Sequence, residues 1–252
     1  MFQAPHINTS PVRVSQCGIG GVGTSTPRPP SQLRYNLPAG QPSPDLPVGY
    51  EHYSQFGQAP IMANKYFKHK RNGRFLEASL MNSFGAHDGV SYSNTLLFMR
   101  FYNWTGVLIE PMRSRYKLLR TRNRKAYSLN ACLGFYSDPT VIDLDDNNQC
   151  TAVPMSALID AIGWTRFDWF VIDVDGAEVS LLLSIPWHSI TVDYVQIECN
   201  LCDPMHINMT QVNGTKVDHD RFYFLREFMP TVGYTLVDWI APDFIYRRNS
   251  LE

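Results

Sequence analysis

The run Asp168-Trp169-Phe170-Val171-Ile172-Asp173-Val174-Asp175-Gly176-Ala177-Glu178 (DWFVIDVDGAE) decides the fold. Its apolar centre is continuous rather than alternating, which marks a strand buried on both faces. A glycine turn then leads into residues 177–183, which read as a helix. Strand, turn and helix in that order make half of a parallel α/β unit.

The same rhythm repeats on both sides. Upstream, residues 74–78 (RFLEA) read as a strand, 93–102 (SNTLLFMRFY) as a helical stretch and 105–110 (TGVLIE) as a buried strand ended by Pro111. Ser114 can cap a helix running through Leu118 and Leu119, and 126–129 read as another strand. Residues 153–162 read as a helix. Downstream, 192–198 (VDYVQIE) form a further strand and 219–229 a late helix. The closely spaced strands 234–239 and 244–247 then suggest an antiparallel pair closing one edge of a doubly wound, mostly parallel sheet.

The 252 residues divide by composition. Ten of the 17 prolines and seven of the 16 glycines lie at or before Pro60. We expect residues 1–60 to be a disordered N-terminal leader and 61–252 to be one domain. Gly18, Gly20 and Gly23 spell GxGxxG within that leader, but prolines at 27, 29 and 30 forbid the helix a dinucleotide fingerprint needs.

With 22 Lys+Arg against 23 Asp+Glu, there is no basic footprint for nucleic acid. A small-molecule or glycan acceptor, or a protein, is the expected partner. The five cysteines read as scattered thiols rather than a disulfide framework. Cys199-x-x-Cys202 lacks the second pair a zinc site requires, so no metal is expected. No signal-peptide pattern or transmembrane run appears, which favours a cytoplasmic chain. Four Asn-x-Ser/Thr patterns, at Asn8, Asn103, Asn208 and Asn213, point the other way.

In such a sheet the ligand lies beyond the carboxyl ends of the strands. Three places stand out there. Gly85-Ala86-His87-Asp88-Gly89 is a small-residue turn running into Ser93-Asn94-Thr95 at a helix start, where backbone amides face a ligand. Its plain alternative is an ordinary turn capped by Ser93. Glu110 follows 21 residues after Gly89 (110 − 89), placed to accept from both hydroxyls of a ribose. Asp173, Asp175 and Glu178 crowd one strand end, which suits a general base, or in the plain reading a helix cap and dipole partner.

These blocks resemble the FkbM family of methyltransferases. Residues 73–78 (GRFLEA), 85–95 (GAHDGVSYSNT) and 104–111 (WTGVLIEP) match its early motifs, and 153–154 (VP), 172–178 (IDVDGAE) and 195–198 (VQIE) its later ones, in order from about residue 66 to 200. The resemblance implies a Rossmann-like class I domain that uses S-adenosyl-L-methionine to O-methylate a hydroxyl of a sugar or polyketide. It also implies that Glu77, Gly85, His87 and Asp88 line the methionine side, with Ser93, Asn94 and Thr95 flanking it. Glu110 would hold the ribose, and Asn130 and Ala131 would lie near the adenine. Asp173 is the first choice of base, with Asp175, Glu178 or His87 as substitutes. One departure stands out: residues 79–84 (SLMNSF) intervene where the family runs directly from strand to turn. That insert supports an alternative in which the same fold, without catalysis, acts as a protein-binding or trafficking module, as in Star-type animal members of the family. A nicotinamide oxidoreductase is disfavoured because GAHDG lacks the glycine spacing.

Overall fold

A computed structural model of the chain describes residues 34–35, 53–79, 89–122, 124–134, 139–145, 148–199, 202, 211–212, 215–216 and 219–251. In chain order the elements begin with β1 (Arg34–Tyr35) and α1 (Gln58–Ile61), which widens into a π turn (Met62–Tyr66). Next come β2 (Arg74–Ser79), α2 (Leu96–Tyr102), β3 (Thr105–Ile109), α3 (Arg113–Thr121) and β4 (Tyr127–Leu129). Then follow β5 (Cys132–Gly134), β6 (Thr140–Asp145), β7 (Asn148–Pro154), α4 (Met155–Ile162) and β8 (Arg166–Asp173). The last group is α5 (Glu178–Ser184), β9 (Thr191–Glu198), β10 (Gln211–Val212), β11 (Thr215–Lys216), α6 (His219–Thr231), β12 (Tyr234–Ile240) and β13 (Asp243–Arg248).

Eight of the strands form one sheet in the order β1-β4-β3-β2-β8-β9-β13-β12. β4, β3, β2, β8 and β9 are parallel, with β1 antiparallel at one edge and β13 inserted antiparallel between β9 and β12 at the other. This is the doubly wound, Rossmann-like α/β arrangement, and the late hairpin closes the edge as its sequence indicates. The strand order reverses between β2 and β8, the switch point at which such sheets bind ligands.

Period two divides each strand between two cores. Leu76, Ala78, Val107, Ile109, Phe170, Ile172, Val195 and Ile197 point to one face, where α4, α5 and α6 cover them. Phe75, Leu108, Trp169, Val171, Tyr194 and Ile245 point to the other, beneath α2, Leu119 of α3 and the segment around Ala59, Met62 and Phe67. Phe67 meets Trp104 with ring centroids 4.8 Å apart, and Phe98 meets Trp169 at 5.0 Å, both edge-on. Contacts of this kind add about 0.5–1.5 kcal/mol each beyond area burial.

Two features lie beyond what composition indicates. Packing starts before residue 60: Tyr53, Ser54, Gln58 and Ala59 are buried, and β1 pairs with β4. A second sheet, β5-β7-β6, stands beside the main one. The expectation of scattered thiols is corrected here. Cys132 and Cys150 are joined by a disulfide across a Cα separation of 6.2 Å. The physical reason is pairing: Cys132 sits opposite Ala152 in the parallel β5–β7 ladder, and Cys150, two residues before Ala152, shares its face. Cys199 and Cys202, buried just after β9, are bonded as well.

Candidate functional site

The same period that separates the two cores places a row of acids. Continuing the phase of Phe75, Leu108, Trp169, Tyr194 and Ile245 by steps of two brings Glu77, Glu110, Asp173, Glu198 and Asp243 to the carboxyl-end crest on a single face. All five are buried. Acids at such positions persist only where bonds or shared protons compensate them.

Glu77 has the densest set of bonds. It accepts from the Ser93 hydroxyl at 3.1 Å, the Asn94 backbone N–H at 3.0 Å and the Thr95 hydroxyl at 2.5 Å. Behind the two hydroxyls lies Arg124, fully buried, which donates to Ser93 Oγ at 3.1 Å and to Thr95 Oγ1 at 2.9 Å. Its Nη1 also donates to the Gly89 carbonyl at 2.5 Å. A buried acid and a buried base are thus bridged by two hydroxyls, fixing the backbone between the glycine turn and α2. The plain alternative for Ser93, a helix cap, is not what the structure shows: its hydroxyl donates to Glu77, and α2 starts at Leu96 without a side-chain cap. Gly89 has φ +78, and a Cβ there would stand 2.3 Å from Leu119 Cδ1, so the turn leaves room for glycine only.

Glu110 is almost fully buried at the end of β3 and accepts from the Met112 N–H at 2.8 Å through Oε1. Asn130 closes the next strand end, donating to the carbonyls of Glu110 and Pro111 at 2.8 Å each, while Ala131 is packed in the core. A cavity of about 670 Å³ abuts this corner, lined by Pro111, Tyr116 and Asn130 with Arg113, Lys117 and Arg120.

The structure brings Asp173, Asp175 and Glu198 together, with ligand-capable oxygens all within 4.8 Å of one another. Such a trio can take up a proton from an acceptor hydroxyl, or offer oxygens to a hard divalent cation. Asp175 is exposed with φ +47, held out at the turn. Glu178 is spent elsewhere: it accepts from the Val174 and Gly176 N–H groups and pairs with Arg221 at 2.7 Å. Beyond Glu198, Asp243 sits opposite it in the β13–β9 register and accepts from Gln58 Nε2 at 2.5 Å. Burial pushes the Asp243 carboxyl up to about 7; the bond from Gln58 opposes that shift, and the Glu198 charge adds to it.

Gly85, Ala86, His87 and Asp88 lie outside the described residues, as does the insert from residue 80 to 84; β2 itself runs unbroken through Ala78 to Ser79 beside β8. Three residues escaped the sequence reading: Arg124, Glu198 and Asp243. Glu198 had a legible signal, since it ends a buried strand next to the one ending in Asp173. Arg124 had none, because it lies within a basic run, ending at Lys125, that reads as a solvated face.

Compared with known families, the chain matches none. No curated protein sequence matches it either. Among solved structures, the fibrillarin pre-rRNA processing protein of Methanococcus jannaschii is similar at 15% identity and a TM-score of 0.48, over 87% of this chain and 89% of that one.

Proposed function

We propose that this chain is an S-adenosyl-L-methionine-dependent methyltransferase acting on a hydroxyl of a sugar or other small acceptor. The observation that carries the reading is Glu110: a buried carboxylate at the end of the strand next to the switch point, one oxygen anchored by the Met112 N–H. A carboxylate in that position suits the two hydroxyls of a ribose. The residues fit a nucleoside-bearing cofactor: Glu110 and Asn130 frame the ribose and base side, and the Glu77–Arg124 network holds the turn at Gly89, whose missing Cβ makes room for Leu119. The cofactor would supply an activated methyl on a positive sulfur, needing only an oxygen nucleophile in line. This chain's own work is then to orient the acceptor, exclude water and remove the hydroxyl proton. Asp173 is assigned that proton, with Asp175 and Glu198 close enough to share it. Glu178 is assigned to hold the turn.

Isothermal titration with S-adenosyl-L-homocysteine tests the reading. Binding at micromolar concentration is expected, and its absence at high micromolar concentration would end the enzymatic proposal. Glu110→Ala should weaken binding roughly ten- to a hundred-fold, the worth of hydrogen bonds to a charged group. Unchanged affinity would refute the ribose assignment.

A further inference from the structure

We infer that Asn103 carries an N-linked glycan and that the chain folds in an oxidising, secretory-type compartment. Two independent observations meet here, and neither depends on the reading of the crest.

The first is the setting of Asn103-Trp104-Thr105 (NWT). The asparagine is the C-cap of α2, with left-handed backbone (φ +57, ψ +34), and its side chain is exposed while Trp104 beside it is fully buried. An acceptor pattern whose asparagine pointed into the core would be useless once the chain folds; this one projects to solvent at a turn. Its amide Nδ2 donates to Asn72 Oδ1 at 2.6 Å, and its Oδ1 accepts from Lys125 Nζ at 2.7 Å, both on the surface. Glycan transfer consumes one of the two amide hydrogens. The nitrogen bonds to the anomeric carbon of a lipid-pyrophosphate-linked oligosaccharide, the carbon–oxygen bond to pyrophosphate breaks, the lipid pyrophosphate leaves with the bonding pair, and the displaced amide proton passes to solvent. One N–H and the carbonyl remain, the one donor and one acceptor that the two contacts call for.

The second observation is redox state. Cys132–Cys150 is a buried bond linking two strands of the small sheet, and Cys199–Cys202 is bonded too. Structural disulfides persist where the surroundings oxidise thiols, and the same compartment houses glycan transfer to Asn-x-Ser/Thr. Asn8, Asn208 and Asn213 lie outside the described residues.

The test uses the full chain from its native source, alkylated without reduction and digested with trypsin. Cleavage after Arg100 and Arg113 releases residues 101–113 (FYNWTGVLIEPMR). Peptide-N-glycosidase in heavy-oxygen water should convert Asn103 to labelled aspartate, with Cys132 and Cys150 recovered linked. Recovery of that peptide wholly as unlabelled asparagine, or of both cysteines as alkylated free thiols, would overturn the inference. In a second arm, Asn103→Gly, which keeps the left-handed cap, is secreted from a eukaryotic host behind a cleavable leader. It should lose the mass of one glycan with an unchanged thermal midpoint. An unchanged glycan mass would overturn the site.

Discussion

Replacing Arg124 with methionine should destabilise the chain by about 4 kcal/mol, through a mechanism that a partner variant can expose. The guanidinium is fully buried, lies 5.9 Å from the centre of the Phe75 ring, and donates to Gly89 O, Ser93 Oγ, Thr95 Oγ1 and Met99 Sδ. Methionine fills much of the same volume, so packing loss is small. Two of the four acceptors are hydroxyls that can turn and the sulfur is a weak one, but the Gly89 carbonyl is fixed, and an unpaired buried acceptor costs about 1–3 kcal/mol. Glu77 also loses the cation behind its hydroxyl donors, and breaking a buried pair from one side costs about 3–5 kcal/mol. The two costs overlap rather than add, which gives the figure above. Urea unfolding measures it. Glu77→Gln added to Arg124→Met removes the stranded charge, so the double variant should be less destabilised than the sum of the singles by about 0.5–3 kcal/mol. Additivity to within about 0.3 kcal/mol would show that the hydroxyl bridge transmits nothing and would refute the network. A local readout should agree: the Asn94 amide, which donates to Glu77, should lose hydrogen-exchange protection in either single variant.

Two more outcomes follow from the geometry. Asp243 binds a proton more tightly folded, at about 7, than its ordinary value of 3.8. The native state therefore holds the extra proton between those values, and stability should fall as pH rises from about 4 to 7, by on the order of a few kcal/mol. Asp243→Asn should flatten that slope in thermal melts, and an unchanged slope would sink the assignment. The Cys132–Cys150 bond spans 18 residues, so Cys132→Ser/Cys150→Ser should lose about 3 kcal/mol by loop-closure entropy, read by denaturant midpoint, with no change expected if the small sheet contributes nothing to cooperativity.

The parallel layers were legible because their strands are mostly unbroken apolar runs: β3, β8 and β9 announce themselves, and period two then fixes where Glu110 and Asp173 stand. The small sheet was not. Two of its strands are interrupted by polar Asp143, Gln149 and Thr151 and the third is only Cys132–Gly134, so neither alternation nor a continuous apolar run identifies them, and without the pairing the disulfide is invisible. Residues 53–61 were hidden by Gly57 and Pro60. Yet Pro60 sits in the first turn of α1, where a missing N–H costs little, and Gln58 beside it reaches across to Asp243. Arg124 was hidden by its neighbours, since one buried arginine among solvated ones differs only in what it touches.

The single-sided row of acids makes the length of each strand a matter of parity. Losing or gaining one residue within β2, β8 or β9 would turn its acid toward the opposite layer, among Ala78, Ile172 and Ile197, and bring an aliphatic group to the face that carries the other acids. Loops around this crest are free to grow and shrink, but the strands beneath it can drift only in pairs of residues.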